Sequence, residues 1–250
     1  MTFALILSPA KKMNVVEDPP LPTAEPVFLE RTQLLADALA ALPYEDAKAL
    51  WQCSDALARP NWERHQHLDL HARTSAAVTT YEGIAYQHLA ASIMDAREVA
   101  YLERHLRIIS GFYGVLRPLD GVVPYRLEMQ AKLSVAGARD LYEFWGSSLA
   151  QELAREFDAL VNVASVEYAK AVLPHARRLG MRVVTCLFGS VRADGRFVQR
   201  ATEAKAARGT FVRWCAEQSV ENLDELKGFR ERGYVLDEGR SSMDELVFVR

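Results

Sequence analysis

Five consecutive apolar residues, Phe3-Ala4-Leu5-Ile6-Leu7, run without a polar break and stop at Ser8-Pro9. A half-exposed strand alternates polar and apolar residues; this one does not, so it reads as a short strand buried on both faces. Further buried strands are expected at residues 160–163 and 182–188, and closing strands at 234–237 and 246–249. Helical periodicity fills much of the space between. It runs over 30–42, where Leu34, Leu35, Ala38, Leu39 and Leu42 share a face, and then over 44–54, 74–90, 95–109, 140–157 and 203–218. Asp95 with Glu98 three residues on forms the capping box that starts the fourth of these helices. Pro19, Pro20, Pro22 and Pro26 mark an extended loop, because proline fixes φ and blocks helix. Asp194-Gly195 supplies the positive φ angles of a tight hairpin. With strands at both ends and helices between them, the expected fold class is α+β. A single compact domain over 1–250 is expected, its mixed sheet drawn from both chain ends and surrounded by helices.

Composition narrows the class further. Half of the 250 residues are apolar and a quarter are charged, which is an ordinary globular balance. No apolar run is long enough to span a bilayer, so no membrane partner is expected. The start of the chain lacks a basic n-region and reads as a strand, not a signal peptide. Cys53, Cys186 and Cys215 form no C-x-x-C pair and are odd in number, which fits a reducing cytoplasm. The net charge is −3, but ten Lys or Arg between residues 168 and 214 face only Asp194 and Glu203. That stretch carries +8 and leaves −11 on the rest of the chain. A basic field on an acidic body suits a polyanion, while the same run also suits a solvated helix and hairpin face.

Four local patterns carry candidate chemistry. The first is the turn from Gly111 to Asp120, with Gly111 and Gly114 three apart and Arg107, Arg117 and Arg126 around it. Glycines there would let backbone N–H groups approach a phosphate, as in a helix-hairpin-helix-like element; an interhelical turn without ligand is the alternative. The second pairs Lys205 and Arg208 on one helix face, with small alanines between them that would admit a flat ligand. The third is Ser8-x-x-Lys11, the spacing of an acyl-enzyme nucleophile. It follows a strand and lacks the accompanying Ser-Asp-Asn and Lys-Thr-Gly, so it reads as an anion-binding or purely structural strand end. The fourth is His65, His67 and His71, which have no cysteine or carboxylate partners in pattern; no metal and no cofactor are expected.

Taken in order, several segments resemble the YaaA family of peroxide-stress proteins. They begin with Leu7-Ser8-Pro9-Ala10-Lys11, the Ser110 to Asp120 stretch and Pro124-Tyr125-Arg126-Leu127-Glu128-Met129. They continue with Asp140 to Gly146, Asn162 to Tyr168, Ala204-Lys205-Ala206-Ala207-Arg208-Gly209, Gly233-Tyr234 and Glu245 to Phe248. The resemblance implies a cytoplasmic protein of the peroxide-stress response, linked to lower free iron and less oxidative DNA damage. It also implies a positively charged cleft and a helix-hairpin-helix that bind duplex DNA. The expected nucleic-acid or anion site draws on Ser8, Lys11, Arg107, Gly111, Tyr113, Gly114, Arg117, Tyr125, Arg126, Glu167, Tyr168, Lys205 and Arg208. Of these, Ser8, Lys11, Arg117, Arg126, Lys205 and Arg208 are expected to meet in one cleft. The competing class is an enzyme acting on a nucleotide or base, with tyrosines for stacking, cations for phosphate and Glu167 for acid-base work. A monomer is the expected state.

Overall fold

The structure is a computed structural model, and it describes residues 2–14, 24–72 and 75–250. The loop expected around Pro19, Pro20 and Pro22 lies outside the described residues, as does Thr74 at the head of one expected helix. The strands are β1 (Phe3–Leu7), β2 (Lys12–Met13), β3 (Ser75–Ala76), β4 (Tyr81–Glu82), β5 (Leu106–Ser110) and β6 (Gly114–Leu116). They continue as β7 (Gly121–Val122), β8 (Ala159–Asn162), β9 (Arg182–Val191), β10 (Phe197–Val198), β11 (Val235–Leu236) and β12 (Glu245–Val249). The helices are α1 (Leu29–Ala40), α2 (Tyr44–Trp51), α3 (Asp55–Gln66), α4 (Ala77–Thr80) and α5 (Ile84–Leu89). After them come α6 (Ala96–His105), α7 (Leu141–Trp145), α8 (Ser148–Ala154), α9 (Val166–Arg178) and α10 (Ala201–Gln218).

One mixed sheet organises these elements, in the order β11-β12-β9-β8-β1-β5-β6, with β10 folded back on β9. Its centre is parallel: β1 pairs with β5 and β8, β8 with β9, and β9 with β12. The antiparallel strands β6, β10 and β11 are added as hairpins. All five residues of β1 are buried, as its unbroken apolar run requires. The core is a single cluster that includes residues of every strand in the parallel centre. Helix α6 joins β1 from above: the His105 ring bonds the Phe3 carbonyl at 3.0 Å and stacks on Tyr101. Its capping box is formed as expected, with Glu98 N–H donating to Asp95 Oδ1 at 2.8 Å.

Three expected helices are broken. The helix expected over 95–109 stops at His105, and residues 106–110 are strand β5. Ile108 and Ile109 are β-branched and lie in the ladder beside β1 and β6. The turn from Gly111 to Asp120 therefore connects antiparallel strands, and no helix-hairpin-helix forms there. The chain's two-helix hairpin is elsewhere, where α2 ends on left-handed Gln52 and α3 begins after Ser54. The 74–90 segment divides into β3, α4, β4 and α5, with Gly83 before the last. The 140–157 segment divides into α7 and α8 at Gly146, whose φ is +51°. Helices α3 and α9 run through Pro60 and Pro174, tolerating the lost N–H.

Gly111 and Gly114 are packing glycines. A Cβ on Gly111 would lie 2.9 Å from the Leu127 carbonyl oxygen and 2.9 Å from the Met129 nitrogen. Gly114 sits at φ +75°, and its Cβ would lie 2.8 Å from Phe28 and 2.9 Å from Trp145. Protein atoms already fill the room that a phosphate approach would need. Gly114→Val should therefore lower stability by about 2–4 kcal/mol, from the left-handed backbone and the clash together. Chemical denaturation measures this, and a variant as stable as the parent would contradict the packing role.

Candidate functional site

The parallel centre of the sheet sets where a site can form. Strand β1 leads eventually to β5 on one side, whereas β8 leads through α9 to β9 on the other. Two neighbouring strands whose connections diverge leave a crevice beyond their carboxyl ends, the common ligand position in open α/β sheets. Ser8 follows β1 and Ser165 precedes α9, and the two close the crevice floor. Ser165 N–H donates to Ser8 Oγ at 2.8 Å, and Ser8 Oγ donates to Ser165 Oγ at 3.2 Å. Tyr86 of α5 donates its hydroxyl to the Ser8 carbonyl at 3.0 Å. The result is a cavity of about 380 Å³. Its apolar lining includes Leu7, Val163, Ile84 and Tyr168, and its charged lining includes Lys11, Glu167, Lys205 and Arg208.

Helix α10 reaches the cavity because it is nearly smooth there. Ala204, Ala206, Ala207 and Gly209 are buried, and a Cβ on Gly209 would clash with the Ala85 carbonyl. That close fit against α5 brings Lys205 and Arg208 to the cavity edge. The nearest acid on their helix, Glu203, is already held by Arg250 at 2.7 Å and Arg232 at 3.5 Å. Among the described residues the buried Arg208 Nε has no hydrogen-bond partner, and burial lowers its guanidinium pKa from the usual arginine value. A charge so placed costs free energy until an anion or acceptor meets it.

The opposite wall is a chain of opposite charges. Lys11 Nζ lies 3.2 Å from Glu128, and Glu128 lies 3.1 Å from Arg126. Glu128 and Arg126 are buried, whereas the Lys11 side chain is 62% exposed. Glu128 keeps Arg126 as a partner, so Lys11 can turn to another anion without leaving that buried carboxylate unpaired. Neither Glu128 nor Arg126 lines the cavity; Lys11 alone of the three does. Glu167, in the first turn of α9, accepts the Gln130 N–H at 3.2 Å. Burial raises its carboxyl pKa above the usual glutamate value, Glu128 adds to this, and Gln130 N–H and Lys11 oppose it.

Sequence reasoning placed thirteen residues at one site, and the structure divides them. Ser8, Lys11, Glu167, Tyr168, Lys205 and Arg208 line the cavity. Tyr113 and Tyr125 are core residues. The Tyr113 hydroxyl accepts the Val123 N–H at 3.1 Å, and the Tyr125 hydroxyl bonds Ser110 at 2.6 Å and Tyr81 at 2.8 Å. Burial pushes the Tyr125 phenol up to about 12. Arg107 and Arg117 lie at the other end of the sheet, because β6 runs antiparallel to β5 and carries the chain back. There both arginines bind Glu156, at 2.6 and 2.8 Å, beside a separate cavity of about 220 Å³. Lys11 turns to Glu128 and makes no bond to Ser8, so the Ser-x-x-Lys pair is not an acyl-enzyme couple. His65 is buried and accepts the Arg126 N–H at 3.2 Å; burial lowers its pKa to about 4. Among the described residues, no group of three or more His, Cys, Asp or Glu could hold a metal ion. Sequence reasoning missed Ser165 and Tyr86. Ser165, just before α9, carried the signal of a helix start, whereas nothing in the sequence singled out Tyr86.

Comparison with known proteins gives a consistent answer. The profile of the family described as "Peroxide stress protein YaaA" matches residues 3–240. A UPF0246 protein of Pediococcus pentosaceus is 46% identical over 246 residues, covering 98% of this chain and 97% of its own. UPF0246 proteins of Desulfitobacterium hafniense and Lachnoclostridium phytofermentans are each 42% identical, covering 98% of this chain and 97% and 96% of theirs.

The arginines at the far end of the sheet have a neighbour with a pH signature. Asp120 is buried and accepts the Arg117 N–H at 2.8 Å. Burial, with Glu103 nearby, pushes its carboxyl up to about 7, against the pull of that N–H and the arginines. A raised carboxyl binds its proton more tightly in the folded state. Its stabilisation is full below the unfolded value near 4 and is lost as pH rises through 7. Asp120→Asn should remove a loss on the order of 2–4 kcal/mol between pH 4 and 8. His65 and His105, whose pKa values are lowered, act in the opposite sense. The test is therefore the difference between variant and parent denaturation curves, and parallel pH profiles would contradict the assignment.

Proposed function

The chain belongs to the family of peroxide stress protein YaaA, and from that membership and the cleft we propose that it serves the peroxide-stress response by holding nucleic acid at the switch point. Phosphate would rest against Arg208, Lys205 and Lys11, and the apolar walls would take base or sugar. The observation that carries this reading is the buried Arg208 Nε, which has no partner among the described residues, in a cavity that Lys11, Lys12 and Lys205 also line. The dipole of α9, thirteen residues long, adds partial positive charge from the same side. Occupying DNA in this way would limit iron-dependent oxidative damage to it. A cytoplasmic location accords with three cysteines that are all free thiols. No described helix is long and apolar enough to cross a membrane.

One observation favours a second reading, that the protein is an enzyme acting on a nucleotide or base. Glu167 lines the same cavity, and burial raises its carboxyl pKa above the usual glutamate value. A carboxyl in that state is suited to donate or accept a proton at a bound ligand.

The geometry leaves fewer cations at the cleft than the basic stretch of the sequence suggests. Arg177, Arg178 and Arg182 lie at the end of α9 and the start of β9, away from the cleft, and Arg196 and Arg213 pair with Asp194 and Glu217. Lys11, Lys12, Lys205 and Arg208 line the cavity, and Lys12 is held by Glu82 at 2.8 Å, which leaves three cations for a ligand. For about three phosphate contacts, affinity for a single strand should fall roughly 20-fold between 50 and 200 mM salt. Lys205→Glu should weaken binding tenfold or more, about 1.4 kcal/mol, with an unchanged melting temperature, because Lys205 is exposed. Fluorescence anisotropy against salt checks both. Affinity that is flat with salt, or indifferent to Lys205→Glu, would contradict the reading.

A further inference from the structure

We propose that the occupant is an unpaired stretch of nucleic acid at least two nucleotides long. One base would enter the switch-point cleft, and its neighbour would lie in a second groove across Lys11. This inference rests on the reading just given and specifies its ligand.

The second groove is about 770 Å³ and is lined by Lys11, Trp51, Gln52, Glu128, Gln130 and Lys132, among others. Lys11 lines both spaces, so a ligand that fills the cleft and continues past Lys11 enters the groove directly. The ridge between them is an exposed lysine held only by Glu128. That is where the phosphate joining two nucleosides would fall, since Glu128 retains Arg126 when the lysine turns to the phosphate. The two spaces differ in chemistry. The cleft has Lys205 and Arg208 and takes charge. The groove sets Lys11 and Lys132 against Asp46 and Glu128, and offers the amide side chains of Gln52 and Gln130, which suit the hydrogen-bonding edges of an uncharged base; the Trp51 indole is buried beneath them, stacked on His65.

Size argues against paired bases. Small-ligand pockets run from about 300 to 1,000 Å³, and the cleft lies near the bottom of that range. Tyr86 and Tyr168 narrow it, and Ser8 bonded to Ser165 closes its floor. A base inside a duplex presents only its edge, and it enters such a space only by leaving the stack, which costs free energy that an unpaired strand does not pay.

The experiment uses the full chain and fluorescence anisotropy with a labelled thymidine tetranucleotide, with thymidine 5′-monophosphate and a fully paired hairpin duplex as competitors. The single strand should bind at least tenfold more tightly than either competitor. Ala49→Trp fills the second groove from an exposed position on α2. It should bring tetranucleotide affinity down to that of the mononucleotide and leave the mononucleotide unchanged, with an unaltered melting temperature. Equal affinity for strand and mononucleotide, a duplex that binds more tightly than the strand, or indifference to Ala49→Trp would each overturn the inference. If Lys205→Glu still weakens the mononucleotide in those cases, the cleft reading survives and only the two-space ligand is lost. If Lys205→Glu changes nothing, both fall.

Discussion

The parallel pairing of β1 with a neighbour on each side is the constraint from which the rest of the architecture follows. β1 is too short and too apolar to exist at an edge, and its ladder is completed by β5 and β8. Both ends of the strand are fastened. At its start Thr2 accepts the Asp158 and Ala159 N–H groups and donates its own N–H to the Asp158 carboxylate at 2.8 Å. At its finish Ser8 is held by Ser165 and Tyr86. Because all three strands point the same way, their carboxyl ends gather on one side, and the divergence of their connections opens the cleft there. The amino ends gather opposite, and there the Arg107-Glu156-Arg117 cluster forms.

Electrostatics then separates the two ends. At the amino end the arginines are satisfied by a shared glutamate and by backbone carbonyls of Glu103 and Leu106. Such a cluster is complete in itself and needs no ligand. At the carboxyl end Glu128 answers Lys11 and Arg126, while Glu203 is taken by Arg232 and Arg250. Lys205 and Arg208 are then left facing the cavity. The contrast is one of pairing, not of the number of basic residues. For that reason the basic stretch in the sequence overstated the field at the cleft.

What the sequence made legible was local. The apolar run 3–7, the apolar strand at 182–188, the Asp194-Gly195 hairpin and the Asp95-Glu98 capping box each carry their own cause and appear where expected. The failures are tertiary. Gly111 and Gly114 look like a phosphate-binding turn until Trp145 and Phe28 are seen to occupy the space. Arg117 lies close in sequence to those glycines, yet the antiparallel return of β6 carries it to the opposite end of the sheet. Tyr113 and Tyr125 read as stacking surfaces, but their hydroxyls are committed inside the core. Helices α3 and α9 were not expected from the sequence; each runs through a proline, Pro60 or Pro174, because packing outweighs the bond a proline removes. Of the six residues expected to share one cleft, Ser8, Lys11, Lys205 and Arg208 line it, whereas Arg117 lies at the opposite end of the sheet and Arg126 is paired with Glu128 outside it; no spacing rule could have shown that division.

The central claim is that the unpartnered Arg208 is waiting for a phosphate. A crystal structure of the protein with the thymidine tetranucleotide tests this most directly. The account predicts a phosphate oxygen about 3 Å from Arg208 Nε, with Lys205 and Lys11 around the same strand. A strand bound elsewhere on the surface, with Arg208 Nε still unpartnered, would contradict it.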